Sequence, residues 1–216
     1  MQRRIAVLFF LFSILAMLPG CGNAKQTIVQ ITDKITTLPA GQFYQFTANV
    51  EHSHGHGVTV SLTGGGTLVI DSQSQCAYYV APPAPPSPNS VTVTVTVGSV
   101  SDSDTFTITA ATGPVVSITP AAPTVSASSD TPVTLNIAVT ADSSNDTLIP
   151  SIAGSSACSG GVCGSFGAVD GIAGSGAYTV QYFPPSSVTA STIQQITVTS
   201  TLTSSMNGTA FVTINP

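Results

Sequence analysis

Three histidines stand at alternate positions in one short run, His52-Ser-His-Gly-His56. On an extended backbone that spacing would turn all three imidazoles to one face. Three neutral ring nitrogens suit Zn²⁺ or Cu²⁺, and Glu51 stands next to them as a fourth donor. The neighbours argue differently. Gly55 and Gly57 place the run in a loop between Val50 and Val58, and the matching stretch further on is Ala141-Asp-Ser-Ser-Asn145. A polar loop tip is expected, with His52, His54 and His56 as the candidates for a transition-metal site and no built-in cofactor.

Cys158-Ser-Gly-Gly-Val-Cys163 closes a short glycine-rich loop whose ends can meet. In an exported protein a disulfide is expected there. A redox-active pair would need a helix terminus or nearby cations, and this loop offers neither. Cys76 is left over and is expected to be a buried free thiol at the start of a strand through Tyr78–Val80. Asp102 and Asp104, with Ser101 and Ser103, have oxygens suited to Ca²⁺, although a solvated hairpin turn is the plainer reading. Tyr78, Tyr79, Tyr178 and Tyr182 would stack on a sugar if exposed. Without any tryptophan they read as sheet residues.

Acid–base and nucleophile constellations do not emerge. No two acids have the spacing of a positioned pair, and no serine sits in a Gly-x-Ser-x-Gly strand–turn–helix setting. Only 6% of the 216 residues are charged, and four are Lys or Arg, so a basic nucleic-acid surface is excluded. Hydrophobic residues at 42% exclude charge-rich disorder. No enzyme and no nucleic-acid partner are expected.

Elements that would position these residues are short strands. Val91-Thr-Val-Thr-Val-Thr-Val97 puts valines on one face and threonines on the other, and Phe106 and Ile108 alternate likewise. Breaks rich in Gly, Pro, Ser and Asp separate such segments, with no helical period between them. The second half repeats the first. Val29-Gln-Ile-Thr32 is answered by Val116-Ser-Ile-Thr119, and Phe46, Ala48 and Val50 by Leu135, Ile137 and Val139. Tyr79-Val-Ala-Pro-Pro83 is answered by Gln181-Tyr-Phe-Pro-Pro185, Val93-Thr-Val-Thr96 by Ile196-Thr-Val-Thr199, and Phe106-Thr-Ile108 by Val212-Thr-Ile214. Five segments in one order imply two copies of one unit, meeting at a short hinge near Ala110–Pro114. The expected architecture is all-β: two tandem immunoglobulin-like antiparallel β-sandwiches, residues 27–112 and 113–216.

The amino terminus reads as an export signal over residues 1–20: Arg3 and Arg4, then an apolar run from Ile5 to Leu18. As a helix that run is about 21 Å long, short of a bilayer's hydrocarbon core. Leu18-Pro19-Gly20-Cys21 resembles the lipobox of bacterial lipoproteins. The resemblance implies cleavage after Gly20, acylation of Cys21 and a linker over residues 21–26. It also implies a membrane partner held through lipid, and, since Gly22 is not Asp, an outer-membrane or cell-surface location. Losing residues 1–20 leaves Lys25 and Lys34 against nine acids, so the lipid rather than charge would hold the membrane.

The segments "LPAGQFYQFTANV", "GVTVSLTGGGTL", "YYVAPPAPPSPNSVTVTV" and "FTIT" together resemble bacterial Ig-like repeats of the BIG type. That likeness implies fold rather than activity. Such repeats commonly bury a tryptophan early in the unit, and here Val60 stands in that neighbourhood, with Ile149 or Ile152 in the second unit. A non-catalytic, lipid-anchored surface spacer or adhesion module is the expected role. The alternative is a small binding protein that captures a metal through the His52–His56 loop or a glycan through its tyrosines.

Overall fold

Buried Val91, Val93, Val95 and Val97 alternate with half-buried threonines, so the period-2 pattern is obeyed residue by residue. The threonine face is stitched to the next strand by hydroxyl pairs, Thr92 to Thr105 and Thr94 to Ser103, each at 2.9 Å. A computed structural model describes residues 26–71, 76–142, 146–152, 158, 163–203 and 206–216. The expected export signal, Cys21 and the expected linker up to residue 25 lie outside the described residues.

The first half contains β1 (Ile28–Ile31), β2 (Thr37–Pro39), β3 (Phe43–Glu51), β4 (Val58–Thr63), β5 (Thr67–Asp71), β6 (Cys76–Val80), β7 (Ser90–Val97) and β8 (Val100–Thr109). The second contains β9 (Val116–Thr119), β10 (Thr124–Ser126), β11 (Val133–Val139), β12 (Leu148–Ile152), β13 (Ser165–Gly171), β14 (Ala177–Phe183), β15 (Thr192–Ser200) and β16 (Asn207–Asn215). Sheets run β1-β3-β6-β5 and β2-β8-β7-β4 in the first half, and β9-β11-β14-β13 and β10-β16-β15-β12 in the second. In immunoglobulin lettering each half is an A-B-E-D sheet facing an A′-G-F-C sheet. The first strand splits between both sheets: β2 pairs parallel with β8, and β10 parallel with β16. The chain is therefore a tandem of Ig-like β-sandwiches.

Register supports the repeat at the level of single pairs. Val29 faces Val50 and Ile31 faces Ala48, as Val116 faces Val139 and Ile118 faces Ile137. One expected correspondence is corrected. Tyr79 pairs with Tyr44 and Tyr182 with Val133, so Tyr79 matches Tyr182 rather than Gln181. The second copy has one residue fewer between the tyrosine and its Pro-Pro. Aligning on the prolines slips the register by one and exchanges the two faces.

Each half has its own apolar core, but a third cluster joins them. Phe211, on the outer face of β16, is 1% exposed. Its ring stacks on Tyr78 at 4.4 Å between centroids and meets the edge of Phe43 at 5.5 Å. Val69 and Val80 complete the first half's side of the junction, and Ala121 and Ile193 the second's. Close fit continues at Gly41, where a Cβ would overlap Val115. The segment near Ala110–Pro114, expected to act as a hinge, therefore connects two bodies fastened to each other by aromatic packing.

Candidate functional site

β3 ends at Glu51 and β4 begins at Val58, leaving the histidines in the connection. His52 (φ 53°), His54 (φ 51°) and Gly55 (φ 81°) have left-handed backbone, and His56 N–H donates to Ser53 O at 2.9 Å to close a turn. Positive φ at alternate residues destroys the extended geometry that would align the rings. All three side chains are exposed, and His56 lies over Gly98 in the β7–β8 turn. Among the described residues no group of three His, Cys, Asp or Glu side chains is arranged to hold a metal ion. The structure does not gather His52, His54 and His56 into a site.

Cys158 and Cys163 are joined by a disulfide, with Cα atoms 5.1 Å apart. Both are buried, and Cys158 also forms an isolated bridge with Val188, fastening the β12–β13 connection to the core. Cys76 departs from expectation. It is half-buried rather than buried, because pairing with Thr47 and Asp71 puts it on the outer face of the sheet. There Gln45 Nε2 donates to its sulfur at 3.2 Å.

Asp102 and Asp104 are also corrected. They lie within β8, not in a turn; the turn is Gly98-Ser99, with Gly98 at φ 60°. Asp102 accepts the Ile31 amide at 2.8 Å and the Lys34 ammonium at 2.7 Å, while Lys34 also donates to Ser103 O at 2.8 Å. Asp104, 4% exposed, accepts the Ile35 amide at 2.9 Å. These two carboxylates hold the crossover from β1 to β2, where the backbone leaves one sheet for the other and its amides have no ladder partner. Their oxygens are engaged in structure.

Desolvation pushes the Asp102 carboxyl up, but the Lys34 ammonium and the Ile31 and Ser103 amides outweigh it and hold it below the ordinary carboxylate range. A depressed folded-state pKa contributes stability above the unfolded-state value, near 4, and loses it as pH falls through the folded value. Asp102→Asn should therefore cost about 1 kcal/mol at neutral pH. Its melting-temperature deficit should shrink as pH falls from 6 to 3. A deficit that is constant with pH would contradict the ionic role.

Tyr78, Tyr79, Tyr178 and Tyr182 are engaged in packing and hydrogen bonds. Tyr79 and Tyr182 are fully buried, and their hydroxyls donate to Gly65 O at 2.7 Å and Cys163 O at 2.6 Å. Burial pushes both phenols up to about 12. Tyr78 is stacked in the junction. Tyr178 donates to Asp142 Oδ2 at 2.5 Å, and the same oxygen accepts the Gly174 and Gly176 amides. That bond, with desolvation, raises the Tyr178 phenol. At the positions compared with a buried tryptophan, Val60 and Ile152 are half-buried, whereas Ile149 is 55% exposed and faces outward.

No family model and no curated protein matches the chain. Among solved structures it is similar to domains 5–6 of the surface-layer protein SbsC, at 12% identity and TM-score 0.32, covering 88% of this chain and 99% of that one. The tandem Ig repeats of Dlar give 12% identity and TM-score 0.33, covering 88% and 98%. SbsC domains 4–9 give 12% and 0.32, with 88% of this chain spanning about a third, 32%, of that fragment. Scores at this level carry no argument about activity or partners. The Ig-like assignment rests on the strand order itself.

Proposed function

We propose that this chain is a non-catalytic, lipid-anchored protein of the bacterial envelope whose paired sandwiches act as a surface spacer or interaction module. The observation that carries the spacer reading is the Phe211 junction, because aromatic packing between the halves favours a fixed orientation over beads on a flexible string. The anchor rests on Leu18-Pro19-Gly20-Cys21. Thr27, just before β1, donates through Oγ1 to His52 O at 2.7 Å, so the chain leaves the sandwich at the end that bears the histidine turn. Residues 22–27 then allow a reach of about 20 Å from the lipidated cysteine. Two or three acyl chains at about 0.8 kcal/mol per buried methylene hold such a protein durably at a membrane.

Metabolic labelling with palmitate in a lipoprotein-processing bacterium tests the anchor. The wild-type chain should incorporate label and Cys21→Ala should not. Label persisting in the variant, or absent from wild type, overturns it.

A further inference from the structure

The internal duplication gives each core position a counterpart, and at one end of the sandwich three first-half positions carry a smaller side chain than their counterparts. In the second half Ile137, Val139 and Leu148 are sealed, and Val180 fills the sheet behind them. Their counterparts by register are Ala48, Val50, Val58 and Ala77. Two large aliphatic side chains are thus replaced by alanine. The consequence is visible in exposure: Ala48 and Val50 are half-buried, and Val58 is 42% exposed where Leu148 is 4%. Ile70, paired with Ala77, is 49% exposed, whereas its counterpart Val169 packs against the second core. Between the sheets at this end lies an open cavity of about 270 Å³, lined by Phe46 and Val95 among others. Its mouth lies between the unpaired edges of β4 and β5.

We propose that this cavity binds an uncharged aliphatic chain. A cavity of about 150 Å³ lined by apolar side chains stays dry and accepts benzene, so at that ratio 270 Å³ accommodates about eleven carbon atoms. Eight of the ten lining residues are apolar, the single charged one is the acid Asp71, and no cation is among them. Among the described residues that line it none would compensate a buried carboxylate, so an alcohol or ester chain is favoured over a fatty-acid anion. In the first half Ile70 and Val58 stand open at the rim, where an incoming chain removes apolar surface from water.

Residues 26–216 contain every described strand and both cores, and this segment is the one to test. Methyl resonances are followed while 1-octanol is added. Val50, Val58, Val60, Ile70 and Val95 should shift saturably, while Val169 and Val180 in the filled copy stay fixed. Ala48→Ile with Ala77→Val, which installs the second half's residues, should weaken octanol at least tenfold. Ala77→Val alone serves the same purpose if the double variant does not fold. Octanoate should bind at least fivefold more weakly than octanol. Absence of shifts at saturating octanol, or unchanged affinity in the filled variant, overturns the site. Equal binding of octanoate overturns the preference for an uncharged ligand.

Discussion

Phe211→Ala should lower the melting temperature of the chain by on the order of 10 °C and split one calorimetric transition into two. Phe211 is 1% exposed, and it contributes nothing to the core of its own sandwich, because Ala210 and Val212 on either side point inward. Its aromatic contacts are with the other half: Tyr78 face to face and Phe43 edge on. Truncating a buried phenylalanine costs about 3–5 kcal/mol, from lost transfer free energy and from the hole left behind. At a few degrees per kcal/mol for a cooperative unit of this size, the lower figure already gives a large shift. The loss falls on coupling, so each half should keep its own core and unfold separately. Gln194→Ala, close in sequence to the junction residue Ile193, tests whether any perturbation nearby has the same effect. A single transition unmoved in Phe211→Ala would show that the halves do not stabilise one another.

The junction also shows why parts of this fold are plain in the sequence and others are not. Where a sheet has one covered face, the chain must alternate, and Val91–Val97 does so openly. The five repeated segments fall on β1 and β9, β3 and β11, β6 and β14, β7 and β15, and β8 and β16 for the same reason. Where both faces are covered, alternation disappears. Residues Gly208 to Val212 of β16 are buried without a break, and Thr209 and Phe211 are the outward members of that run. A strand apolar on both faces signals a second contact, and Cys76-Ala-Tyr-Tyr-Val80 carries the same signal. What it touches cannot be read locally.

Long-range polar pairing is hidden for a related reason. Ser101-Asp-Ser-Asp104 has turn composition, yet its carboxylates serve amides roughly seventy positions earlier, so the local string gives no hint of partner or burial. The histidine run failed on backbone geometry: alternate spacing aligns side chains only where the backbone is extended, and positive φ at His52 and His54 removes that condition. The disulfide could be read because a glycine-rich loop with cysteines at its ends needs no distant information. The repeat already set Ala48 against Ile137, but the second gap, Ala77 against Val180, emerges only after the register of β6 and β14 is corrected, and exposure at Val58 and Ile70 needs the fold.

Gly66→Ala should destabilise the protein by about 3–5 kcal/mol, combining left-handed backbone strain with overpacking. Gly66 has φ 105°, and a Cβ there would overlap the hydroxyl and ring of Tyr79. The tyrosine cannot yield, because its ring is fully buried and its hydroxyl is held by the carbonyl of Gly65, the residue just before. The second copy repeats the device. Gly164 has φ 103°, a Cβ would overlap Tyr182 and the Phe183 carbonyl, and the Tyr182 hydroxyl is held by Cys163 O, again the residue before the glycine. Each sandwich therefore closes one end by laying a tyrosine over a glycine, and Gly164→Ala should cost about as much as Gly66→Ala. Tyr79→Phe isolates the hydrogen bond and should cost about 1 kcal/mol, the worth of a bond to a half-buried carbonyl. Gly113→Ala is the control: nothing lies within 4 Å of its Cβ, so its stability should change by less than about 0.5 kcal/mol. Urea denaturation of the four variants reads these differences directly. A Gly66→Ala protein as stable as Gly113→Ala would mean that Tyr79 does not occupy the space over Gly66.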